Sequence, residues 1–157
     1  MLRGAVQPLV TTAALAAMLA AFPLTGTPPE PPPGAPAAEK SRMARAYVAE
    51  KLARWQRHLK LQNWRISLRL CPPSELKPRT MGNIHWDRNR HSAVIRVLDA
   101  AHYRLPYRAM LDDMEFTIVH ELVHLQLASL PRSEASRSEE EFAVNRIAEA
   151  LLQLDRR

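Results

Sequence analysis

Cysteine is nearly absent from this chain: Cys71 is the only one in 157 residues. No internal disulfide can form, a Cys-rich structural zinc site is excluded, and the redox compartment is not revealed. Charge is missing from Gly4 to Pro29, and no internal repeat is visible. A membrane-length apolar run is missing too. Leu9 to Phe22, bracketed by Pro8 and Pro23, is about 14 residues long, short of the roughly 20 that a comfortable helical span needs.

What the N-terminus does hold is Arg3, an Ala/Leu/Val-rich stretch, and the small residues Thr25-Gly26-Thr27. That is the layout of a secretory signal peptide, so residues 1–27 are read as a signal segment or hydrophobic tail. The protein would then be exported or membrane-tethered, with a cytoplasmic location as the alternative. Pro28, Pro29, Pro31, Pro32, Pro33 and Pro36 crowd around Gly34, a composition that favours extended polyproline conformation over packing. Residues 28–40 are read as a linker and 41–157 as one folded domain.

The net charge is +6. Residues 1–40 contribute none of it, since Arg3 and Lys40 offset Glu30 and Glu39, so the folded part is basic. From Ser41 to Lys60, Ala44, Val48, Leu52, Trp55 and Leu59 recur at helical spacing, with Arg42, Arg45, Lys51, Arg54, Arg57 and Lys60 on the other faces. An amphipathic basic helix follows; its outer face could meet nucleic acid weakly or anionic lipid, a solvated face being the commoner arrangement.

Strands are expected next. Trp64, Ile66, Leu68 and Leu70 alternate with polar residues until Cys71-Pro72-Pro73; Gly82 to Asp87 alternates through Ile84 and Trp86; Ala93 to Leu98 is rich in Val and Ile. Asp87-Arg88-Asn89-Arg90 suits a hairpin turn. The three strands predict a small antiparallel sheet in an α+β fold. Asp112 or Asp113, with Glu115, could cap a helix running to about Ser129. A last helix, from about Ser136 to Leu154, would put Val144, Ile147, Ala148, Leu151 and Leu154 on one side.

The chemistry lies in His120-Glu121-Leu122-Val123-His124. Two histidines four apart on a helix point the same way, and their nitrogens can take two corners of a tetrahedral zinc site. Glu121, about 100° round the helix, sits beside the metal as a candidate general base. A catalytic zinc needs a third protein ligand. Leu127 and Leu130 stand where a metzincin extension would continue, so it must come from elsewhere. Glu139, Glu140 and Glu141 open the last helix. Glu140 lies near the centre of its apolar stripe and Glu141 at the edge, so Glu140 is the favoured ligand and Glu141 the close second, with Glu139 on the polar side.

His-Glu-x-x-His followed by a glutamate-bearing helix resembles the gluzincins, and the compact layout is similar to the minigluzincin, ImmA/IrrE-type and SprT-like metallopeptidases. That resemblance implies a zincin-like fold and a zinc-dependent peptidase acting on protein or peptide. It implies His120, His124 and Glu140 or Glu141 as zinc ligands and Glu121 as base. Where ImmA/IrrE-type proteins carry Glu-Ala-Asn, this chain reads Glu141-Phe142-Ala143-Val144-Asn145. The resemblance also implies substrate pairing along an edge strand, which would be Ala93 to Leu98. His102, Tyr103 and Tyr107 could donate to an oxyanion, loop packing being the commoner role of such residues. Two alternatives stay open: a basic nucleic-acid-associated protein of SprT-like type, and a domain that keeps zinc for folding alone.

Overall fold

The computed structural model describes residues 29–131 and 136–157. The expected signal segment, 1–27, lies outside the described residues. Three helices and three strands follow in order: α1 (Ala37–His58), β1 (Arg65–Cys71), β2 (Gly82–Asp87), β3 (Ser92–Leu98), α2 (Tyr107–Gln126) and α3 (Arg137–Asp155). Among the described residues no helix is long and apolar enough to cross a membrane.

Helix α1 begins inside the stretch expected to be linker, directly after Pro36. Proline has no N–H to offer a helix and is therefore tolerated at its start. The apolar stripe is realised: Ala44, Val48, Leu52 and Trp55 are buried. The cations expected on its outer faces are partly spent inside the molecule, because Lys51 pairs with Glu115 and Arg54 with Asp155.

The sheet is mixed, not antiparallel. Its order is β1-β3-β2, with β3 parallel to β1 and antiparallel to β2. The inner face explains the order. Ala93, Ile95 and Val97 are buried, and they pair across with Ile66, Leu68 and Leu70 on one side and Trp86, Ile84 and Gly82 on the other. The strand with the most continuous apolar surface takes the centre, where it is covered on both flanks. β3 is therefore not the edge strand that was expected; β1 and β2 are. The hairpin between β2 and β3 forms where expected, with Asp87 Oδ1 accepting from Asn89 N–H at 2.9 Å and Arg90 N–H at 3.1 Å.

α2 touches α1, α3, β2 and β3. It starts at Tyr107, after Pro106, and neither Asp112 nor Asp113 caps it. Those carboxylates have other partners: Asp113 accepts from the Tyr103 hydroxyl at 2.9 Å, and Asp112 pairs with Arg156 at 3.2 Å. Glu115, expected in a capping box, is drawn into the core against α1. α3 docks through Val144, Ala148 and Leu152, while Ile147 and Leu154 stay exposed. Its buried stripe is thus rotated from the one read off the sequence.

Candidate metal centre

Ile118, Val119, Leu122, Val123 and Leu125 fix α2 in the core. The remaining stripe, Phe116, Thr117, His120, Glu121 and His124, faces a cleft of about 700 Å³ whose opposite wall is β2 and whose end is closed by α3. Phe116, His120 and His124 recur every four residues and Thr117 and Glu121 run alongside at the same spacing, so they lie along one helical face. On α3, Arg137, Glu140, Glu141 and Asn145 line the same cleft at matching helical spacing.

The two imidazoles meet edge to face, with His120 Nε2 and His124 Nε2 3.1 Å apart. Each keeps its other nitrogen occupied. His124 Nδ1 lies 3.0 Å from Glu140 Oε1, and His120 Nδ1 lies 3.0 Å from Asn145 Oδ1. A carboxylate only accepts, so His124 Nδ1 carries a hydrogen and, in the neutral ring, its Nε2 lone pair is turned to the centre. The Asn145 oxygen directs His120 in the same way. Glu141 completes the group, its Oε2 3.4 Å from His120 Nε2 and its Oε1 3.3 Å from His124 Nε2.

Lone pairs and a carboxylate converging in this way repel one another unless a cation lies between them. His120, His124 and Glu141 together could hold a metal ion. The spacing suits one: nitrogens about 2.0–2.1 Å from a tetrahedral zinc stand about 3.3 Å from each other. Of the two glutamates expected as ligands, it is the close second, Glu141, that joins the two histidines in this group. Glu140 sits behind His124 on Nδ1, orienting the ring, while Glu141 faces both Nε2 atoms. The cause is the rotation of α3, because burying Val144, Ala148 and Leu152 brings Glu141 and Asn145 round toward α2. Glu139 is not among the residues that line the cleft.

Burial lowers the pKa of His120, and the neighbouring His124 lowers it further, against an opposite pull from Glu141. The ring therefore stays neutral and able to ligate at pH 7. Glu121 is only 7% exposed. Burial first, and Glu141 second, push its pKa up to about 8. A divalent cation in the centre acts in the opposite sense.

Two features were not legible as site residues. Asn145 was visible only as part of a departure from a familiar pattern, and its value lies in being one turn after Glu141. Gly82 gave no signal at all. A Cβ there would lie 2.4 Å from Thr117 Cγ2, 2.8 Å from the Arg96 carbonyl oxygen and 3.6 Å from Glu121 Oε1. Only glycine lets the start of β2 cross so close over the stripe that holds Glu121. His102, Tyr103 and Tyr107 do not line the cleft. The Tyr103 hydroxyl donates to Asp113 instead.

A scan against protein-family models, a search of curated proteins and a search of solved structures each find no match.

Proposed function

We propose that this chain is a zinc-dependent peptidase of zincin type, in which His120, His124 and Glu141 hold the metal and Glu121 is the general base. The observation that carries the reading is the convergence of two Nε2 atoms and one carboxylate with a second, buried acid, Glu121, on the helical face of the two histidines. A purely structural zinc has no use for that second acid. A zinc ion bound there supplies a water of pKa about 7 and a Lewis acid for a carbonyl oxygen.

The protein's own groups account for the rest. Glu140 and Asn145 fix the tautomers and directions of the two imidazoles. Glu121 accepts a proton from the attacking water at a carboxylate oxygen and returns it to the leaving amine. β2 is an edge strand along the cleft, in place of the β3 edge expected from the sequence. The Leu98 N–H donates to the Met81 carbonyl at 2.8 Å. By the alternation of an antiparallel ladder, Gly82 and Ile84 then turn their own N–H and C=O away from β3. An extended peptide can add to that edge, with its side chains over Ile84 and Phe116.

Replacing Glu121 by Gln should leave zinc bound near one equivalent while hydrolysis of an unfolded protein substrate falls by about 10³-fold or more. Unchanged hydrolysis in that variant, or none in the parent with zinc bound, would reject the peptidase. The nucleic-acid alternative has less support, since Lys51 and Arg54 of the basic helix are engaged inside the molecule.

A further inference from the structure

Three cations at the cleft are not used by the metal chemistry: Lys77 and Arg79 from the loop before β2, and Arg137 at the start of α3. All three are exposed, and among the described residues none of their side chains is in an ion pair.

Two of them stand where local physics disfavours them. Lys77-Pro78-Arg79-Thr80 is a turn closed by Thr80 N–H donating to the Lys77 carbonyl at 3.1 Å, and Arg79, its third residue, has φ of 65°. Proline second and positive φ third define a type II turn, whose third position suits glycine and strains a residue with a Cβ. Arg137 is the first residue of α3, where the helix dipole favours an anion and opposes a cation. Two local rules broken at the mouth of one cleft point to what enters it.

We propose that Lys77, Arg79 and Arg137 read an acidic side chain of the substrate, so that the favoured peptides carry Asp or Glu close to the scissile bond. This rests on the peptidase reading above. The register limits the distance. Gly82 lies against Glu121, and Arg79 precedes it by three positions in the chain, so the acidic residue falls within about three residues of the bond cleaved. A peptide suits the cleft better than a nucleic acid. Glu121, Glu140 and Glu141 line the same space and would oppose a run of phosphates, whereas one carboxylate can sit at the rim while the peptide backbone follows β2.

The test uses the full chain carrying Glu121→Gln, loaded with zinc, and short labelled peptides that differ only in Glu or Gln near their centre. Fluorescence anisotropy at low salt should show the Glu peptide bound about tenfold tighter, the difference shrinking as salt rises. Arg79→Gly, a change the turn geometry favours, should bring the ratio toward one, and Arg137→Gln should reduce it. Equal binding of the two peptides, a ratio unaltered in both variants, or tighter binding of a single-stranded oligonucleotide than of the Glu peptide would overturn the proposal. Cleavage of the same peptides by the unsubstituted chain is read in parallel. Cleavage without preference removes the acidic specificity alone; no cleavage removes the peptidase reading, while the binding ratio still decides what the rim recognises.

Discussion

Glu115 is a carboxylate 3% exposed inside α2, and it survives there because three donors surround it. Trp55 Nε1 lies 2.9 Å from its Oε1, Lys51 Nζ 3.0 Å from the same oxygen, and the Tyr47 hydroxyl 2.9 Å from its Oε2. Burial alone would raise its pKa; the bonds from Trp55, Lys51 and Tyr47 outweigh burial and hold it below the usual carboxylate value. A depressed folded pKa contributes stability above the unfolded value, about 4.3, and that contribution is lost as pH falls through the folded value. Glu115→Gln should cost about 3 kcal/mol at pH 7, since it leaves Lys51 without its counter-charge. Denaturant melts from pH 7 to pH 2 should show parent and variant converging only below pH 4.3, and a gap that stays constant throughout would count against the cluster. Asn145 bears on the proposed metal centre through the ring of His120. Asn145→Ala removes the group behind His120 Nδ1 without harming helix propensity, and zinc affinity measured by competition with a chelator should fall about 10–100-fold.

Among the elements, α2 carries the proposed histidine ligands and base, and the start of β2 lies close against that base. Gly82→Ala has no cheap way out, because the obstructing atoms include the Arg96 carbonyl of the central strand. It should cost about 1–3 kcal/mol in thermal melts, leave zinc content near one, and lower turnover about tenfold or more as β2 and Glu121 move apart. Normal turnover in Gly82→Ala would show that this close approach does not position the base. Much of this level could be read in advance: the α1 stripe, the hairpin at Asp87, the two histidines one turn apart, and the extent of α3. The start of α2 could not. Asp112, Asp113 and Glu115 carry strong capping chemistry, but Arg156, Tyr103 and Lys51 claim them from elsewhere in the chain. Nor could it be read which histidine nitrogens Glu140 and Glu141 would face. It depends on which stripe of α3 is buried, and both candidate stripes are apolar.

For the whole molecule, the sheet shows where local pattern stops being informative. Alternation located all three strands, but β1 joins β2 through a loop and not a tight turn, so nothing nearby fixed its partner. The choice fell to the inner face, where Ile66, Leu68 and Leu70 meet Ala93, Ile95 and Val97 in parallel register. The result puts β2 on the edge over α2 and opens the cleft between that edge and α3. The proposed metal site spans two elements: α2 brings His120 and His124, and α3 brings Glu141. Zinc titration of the parent beside Glu141→Ala and Glu140→Ala tests that arrangement most directly. One equivalent should bind the parent, with the greater loss of affinity in Glu141→Ala and the smaller in Glu140→Ala. A parent that binds no zinc, or a Glu141→Ala chain that binds it as tightly as the parent, would contradict it.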